Sequence, residues 1–173
     1  MSIHIIIDGY NLIRQSTRLS ILDQQDIMLG REALVDMLAA YRKIKSHRIT
    51  VVFDGRNSPG FSPQRNRQKG ISLRFSRSGE SADDVIKRMA IKEREKALVV
   101  SSDRDVADSA AANGAATISS QEFEAKIEMA EHFDSPIGEA EDSQGWTPTT
   151  RKKGPSRRLS KKQRRNRMKI KKL

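Results

Sequence analysis

Cysteine is absent from the sequence. Disulfides, zinc–thiolate centres and thiol nucleophiles are excluded together, and the composition suits a reducing cytoplasm, the expected location. No secretory or membrane-spanning segment is visible. The apolar stretch 3–7 is broken by His4 and is too short for a span or a signal segment. Serine-nucleophile (G-x-S-x-G) and P-loop (G-x-x-x-x-G-K-[ST]) patterns are missing, and no G-x-G-x-x-G follows the first apolar run. These absences count against a serine hydrolase, a P-loop nucleotide enzyme and a dinucleotide-binding protein. The three histidines, His4, His47 and His132, lie away from the acidic segments and are expected to be packed or solvated.

Acidic residues are also missing from positions 151–173, which hold 13 Lys/Arg. The first 150 residues hold 20 Lys/Arg against 22 Asp/Glu, a net charge of −2. The overall +11 therefore belongs to the C-terminal segment, and the rest is almost neutral. Hydrophobic residues make up 36% of the chain, so they must concentrate in a domain smaller than the whole. The expected organisation is one domain over 1–133, a flexible acidic, Pro/Gly-containing linker over 134–150, and a basic tail over 151–173.

Apolar runs alternate with helical patterns through that domain. Strands are expected at 2–7, 48–53, 70–75, 97–101 and 115–118. Helices are expected at 24–46, capped by Asp23, at 81–95, at 105–113 ahead of Gly114, and from the Ser119/Glu122 capping box to 133. The alternation predicts an α/β domain with a mostly parallel sheet flanked by helices. Residues 55–69, with two prolines, two glycines and four basic residues, read as a mobile loop.

Carboxylates stand where these strands end. The first runs into Asp8, the second into Asp54 and the fourth into Asp103 and Asp105, while Glu80, Asp83 and Asp84 follow the third. In a parallel sheet these ends share one edge, the edge at which open α/β sheets bind ligands. Carboxylates so gathered repel one another, and a divalent cation removes the conflict. An oxygen-only set without His or Cys suits Mg²⁺ or Mn²⁺, which engage phosphate oxygens and activate water. Asn11, three residues beyond Asp8, adds an uncharged amide that can orient a carboxylate, a water or a phosphate. Structural readings stand beside each acid. Ser81 and Asp84 fit a capping box, Asp83 suits a helix start, Asp54-Gly55 is a common turn dipeptide, and Asp103 can cap the alanine-rich helix.

"IIIDGYNLI", "VVFDG", "SADDVIKRMA" and "VVSSDRDVADSAAANGA" together resemble the NYN-domain proteins of the YacP-like branch, within the PIN-like nucleases. The resemblance covers roughly residues 2–133, and the Asp-Gly-Tyr-Asn segment is its most specific element. It implies a PIN-like (Rossmann-like) fold and a metal-dependent endoribonuclease that leaves a 5′-phosphate and a 3′-hydroxyl, in some members on ribosomes. It places the catalytic group on Asp8, Asn11, Asp83, Asp84 and Asp103. The metal ligands fall on Asp8, Asp83, Asp103 and Asp105, with Asp54 completing the metal edge. Gly55 replaces the alanine often found after that last acid, and the branch does not always carry an acid at the position of Asp105.

RNA contacts are expected from Arg56, Arg65, Arg67 and Lys69 in the loop and from Arg157, Arg158, Lys161, Lys162, Arg164 and Arg165 in the tail. So dense a positive run repels itself and is expected to be disordered alone. It grips polyanions through counterion release, and its lack of aromatics points to phosphate contacts rather than base stacking. RNA, or the ribosome, is the expected partner. A non-catalytic RNA- or ribosome-binding adaptor on the same fold is the rival. A receiver-like phosphoacceptor fits less well, because Gly9 follows Asp8 where a second acid belongs.

Overall fold

The isoleucine run becomes the middle of a sheet. The structure, a computed structural model, describes residues 3–55, 66–134 and 160–173. Strand β1 (His4–Asp8) lies between β2 (Arg48–Phe53) and β5 (Ala97–Val100), parallel to both. β4 (Ile71–Phe75) extends the sheet beyond β2, and β6 (Ala116–Ile118) extends it beyond β5, again parallel. β3 (Asn66–Gln68) pairs antiparallel with β4 at the far edge, giving the order β3-β4-β2-β1-β5-β6. The expected mostly parallel α/β sheet is therefore present.

Both faces are covered at the centre of the sheet, which is why β1 and β5 read as continuous apolar runs rather than alternating ones. Ile5, Ile7, Val51, Phe53, Leu98 and Val100 pack on one side against α3 (Ile27–Ile44) and α6 (Ser120–Asp134). Ile6, Val52 and Val99 face the other side and meet α4 (Ala82–Glu93) and α5 (Arg104–Ala112). A short 3-10 turn, Arg94–Lys96, leads from α4 into β5. Among the described residues no helix is long and apolar enough to cross a membrane.

Three expectations change. The helix expected over 24–46 is preceded by two others, α1 (Gly9–Gln15) and α2 (Thr17–Gln25). Asp8 caps α1, Ser16 caps α2, and Asp26, not Asp23, caps α3 by accepting from the Met28 N–H at 2.7 Å. Helix α1 starts directly at Gly9 because it lies hard against the core. A Cβ there would come within 2.3 Å of the Phe53 ring. The loop expected over 55–69 is partly strand. Lys69 and Gly70 both take positive φ (50° and 85°), and this two-residue turn folds β3 back onto β4. Residues 56–65 lie outside the described residues.

The basic tail, expected to be disordered, folds in its last part into α7 (Lys161–Ile170), capped by Ser160 and Gln163. Leu173 is 5% exposed and joins the α3/α6 core, and its carbonyl accepts the Tyr41 hydroxyl at 3.1 Å. Burial pushes the Tyr41 phenol up to about 12. The Asn166 side chain accepts from the Thr117 N–H at 2.9 Å and donates to the Thr117 carbonyl at 3.4 Å. One amide thus closes part of the open edge of β6, a device that removes unpaired strand groups. Apolar anchors and this edge pairing outweigh the self-repulsion of the helix, and the Arg165–Glu95 ion pair adds to them. The expected linker over 134–150 begins inside the end of α6, and residues 135–159, with the rest of it and Arg157 and Arg158, lie outside the described residues.

Candidate active site

Asp8 ends β1 and begins α1 in the same residue. Its Oδ1 accepts from the Asn11 N–H at 3.2 Å, and its Oδ2 faces the Ser101 hydroxyl at 3.4 Å. Asp8 is 8% exposed. Burial raises its pKa to about 6, and the nearby charges of Asp83 and Asp103 add to the rise. Near neutral pH a buried carboxylate is therefore held close to two more negative groups.

Asp83 lies in the first turn of α4, half-exposed. Its pKa is raised, first by burial and then by Asp103, with Asp105 and Asp84 contributing. Asp103 caps α5, accepting at Oδ1 from the Asp105 N–H at 2.8 Å and the Val106 N–H at 3.3 Å. Its own N–H donates to the Ser101 hydroxyl at 3.1 Å, so Ser101 ties Asp103 to Asp8. Sequence reasoning gave Ser101 no part, although the Ser-Ser-Asp run carried the signal: a small hydroxyl between two strand-end acids can bond both.

Asn11 clamps the same edge. Its Oδ1 accepts from the Ser102 N–H at 2.9 Å and from the Ser120 hydroxyl at 2.7 Å, joining the turns that follow β1, β5 and β6. The amide thus fixes the loop carrying Asp103.

The remaining acids are differently engaged. Asp84 completes the capping box with Ser81, and the Ser81 N–H and hydroxyl hold its pKa low. Asp105 pairs with Lys87 of α4, which raises the lysine pKa. Asp54 stands at the end of β2, 3.4 Å from the Ser76 hydroxyl. Of the loop cations, Arg67 is exposed on β3, while Lys69 pairs with Asp36 on α3; Arg56 and Arg65 lie outside the described residues. In α7, Lys161, Lys162 and Arg164 are exposed.

Among the described residues no three His, Asp or Glu side chains are grouped tightly enough to enclose a metal ion directly. The donor chemistry still fits one class of ion. Mg²⁺ and Mn²⁺ sites are commonly completed by water and substrate phosphate around one or two carboxylates, rather than by a closed protein cage. Asp8 with Asp83 and Asp103 supplies such an open oxygen edge; burial first and mutual repulsion second lift the Asp8 and Asp83 pKa values, and a cation there would offset both.

Comparisons with known proteins identify the fold and the family. The profile of the YacP-like NYN domain matches residues 5–172, and so includes α7. The uncharacterised protein YacP of Bacillus subtilis (strain 168) is 27% identical over 86 residues, and the match covers 50% of each chain. The chain thus spans about half the length of that curated relative. A crystal structure of Rae1 (YacP) from Bacillus subtilis superposes with a TM-score of 0.63 at 25% identity, covering 77% of both chains. A crystal structure of a tryptophan-to-leucine mutant of the same protein gives 0.64 at 24%, covering 77% of this chain and 79% of the other. With the profile spanning nearly the whole chain and the same fold in both crystal structures, this protein belongs to the YacP-like NYN domain family, a nuclease-like family.

Proposed function

We propose that the protein is a cytoplasmic metal-dependent endoribonuclease whose site is the acidic edge formed by Asp8, Asp83 and Asp103. The observation that carries this reading is the buried Asp8 carboxyl, raised to about 6 beside two further acids at the C-terminal edge of the sheet. Such a placement destabilises the protein alone and becomes favourable with a cation.

Asp8, Asp83 and Asp103 would hold Mg²⁺ or Mn²⁺, with Asp54 and Asp105 at the margins. When bound, the ion supplies Lewis acidity toward a phosphodiester oxygen and activates water near neutral pH. The chain's own residues do the positioning. Ser101 holds Asp8 and Asp103 in register, and Asn11 fixes the turn on which Asp103 sits. Asp84, kept ionised by its cap, adds negative field at the start of α4. The basic segment 151–173 serves as a tether to RNA or to the ribosome.

The test is cleavage of an end-labelled RNA by purified protein with Mn²⁺. The wild type is expected to cut, and Asp8→Asn and Asp103→Asn are expected to lose activity by about 100-fold or more while staying folded, in line with removal of a key electrostatic group. RNA that is bound but left intact by the wild type would instead identify a non-catalytic adaptor.

A further inference from the structure

A second feature lies beside the acidic edge, on the sheet face that α4 only partly covers. Side chains alternate along β4: Ile71, Leu73 and Phe75 enter the α3 core, and Arg74 points to the opposite face. There a groove of about 970 Å³ opens between β4 and α4. Its cations are Arg48, Arg74, Arg77, Arg88 and Lys92, against Glu80 and Glu93, a net of +3. Arg88 pairs with Glu80, and Arg48 stands 3.7 Å from Glu93. The first 150 residues carry a net −2, so the basic groove is a local concentration and not a reflection of average charge. His4 lines the lower end with Nδ1 3.2 Å from Glu93, and burial keeps its pKa low.

The direction of the groove matters. Helix α4 begins at the acidic edge with Asp83 and ends at Glu93, beside His4 and Arg48 where β1 and β2 start. The groove therefore runs the length of the strands, roughly 16 Å at about 3.3 Å per residue. Its upper end, Arg77 to Glu80, leads into the turn that carries Asp83. We infer that this groove is a track for the sugar–phosphate backbone of single-stranded RNA, guiding the strand toward the acidic edge.

Charge selects the occupant. A guanidinium-lined cleft attracts phosphate, and the neighbouring acids repel it until a cation is bound. The apolar floor is Val85, Met89 and the edge of Phe75, the one aromatic in the lining and only 9% exposed, so no open ring face is offered and the groove holds backbone rather than stacking bases. Only the direction of travel rests on the nuclease reading; the binding itself does not.

The experiment measures affinity for a fluorescent 12-nucleotide single-stranded RNA by anisotropy, in EDTA, across a salt series. EDTA separates binding from cleavage, so loss of either is seen independently. The triple variant Arg74→Gln, Arg77→Gln, Lys92→Gln is expected to bind at least about 10-fold more weakly. The slope of log K against log salt should fall by about 2, since each lost phosphate contact on a single strand removes about 0.7. Neutralising Arg18, Lys43 and Lys126, which lie on α2, α3 and α6, is expected to change affinity by less than about 3-fold. Should the triple variant fold poorly, Arg77→Gln with Lys92→Gln, both exposed, is expected to weaken binding in the same direction. Unchanged affinity in a folded groove variant, equal losses from the two sets, or no RNA binding by the wild type would each overturn the proposal. Groove-dependent binding by a wild type that cuts nothing would uphold it and remove the nuclease reading instead.

Discussion

At the scale of residues, Asp8 carries opposed demands of stability and chemistry. Its pKa is near 3.8 in an unfolded chain and about 6 in the fold. Between those values the folded state binds the extra proton, so stability falls as pH rises through about 4 to 6 and stays lowered above. The displacement corresponds to roughly 3 kcal/mol at neutral pH. Asparagine keeps the shape and the acceptor for the Asn11 N–H but removes the charge. In EDTA, Asp8→Asn is expected to be more stable than the wild type at pH 8 by about 2 kcal/mol in urea unfolding, and equal to it at pH 4. A variant less stable at pH 8, or a difference independent of pH, would contradict this reading of the Asp8 environment. Arg31 shows a buried charge handled differently. Its guanidinium lies 5.3 to 5.4 Å from the ring centroids of Tyr10, Phe53 and Phe75 and bonds the Tyr10 hydroxyl, so aromatic faces and a hydroxyl replace lost water.

At the scale of elements, α7 makes the clearest prediction. The two bonds between Asn166 and Thr117 fasten it to the edge of β6. Asn166→Ala is expected to cost about 1–2 kcal/mol and to raise amide hydrogen exchange throughout residues 161–170. Exchange unchanged in that helix would show that Leu173 and Ile170 hold it without the edge pairing. The sequence makes the sheet legible because β1, β2 and β5 are short, mostly apolar runs and β4 alternates apolar with polar residues, each ending at polar residues. Their parallel sense then gathered Asp8, Asp83 and Asp103 without further information. It did not reveal α7, since eight positive charges in residues 160–173 dominate local propensity, and the edge of β6 that Asn166 closes is 49 residues away. Nor did it reveal α1 and α2. Asp8-Gly9 carries no strong helix-start signal in sequence, and the Asp8 carboxylate capping the Asn11 N–H shows that a helix begins there. The β3 hairpin was hidden by a Lys69-Gly70 turn, where Asn-Gly would have signalled it. Ser101 and Ser120 are not legible in sequence, because a serine's role depends on what converges on it, and those partners lie on other elements.

At the scale of the molecule, charge is segregated: an acidic edge, a basic groove beside it and a basic C-terminal segment. Because α7 belongs to the fold, deleting residues 160–173 would confuse RNA affinity with stability. Reversing exposed charges separates them. Lys161→Glu, Lys162→Glu, Arg164→Glu is expected to weaken RNA binding by about 10-fold at low salt and to leave the thermal midpoint within about 3 °C of the wild type. A midpoint that drops with affinity unchanged would make this segment a structural strap and not a tether.

The claim on which the functional account turns is that the Asp8, Asp83 and Asp103 carboxylates share one divalent cation. Anomalous diffraction from a crystal soaked in Mn²⁺ measures it directly. The account predicts a manganese peak against the Asp8 carboxylate, with Asp83 and Asp103 reaching it directly or through water, and no such peak in Asp8→Asn. An ordered acidic edge without manganese in the wild-type crystal, or a peak that persists there in Asp8→Asn, would contradict it.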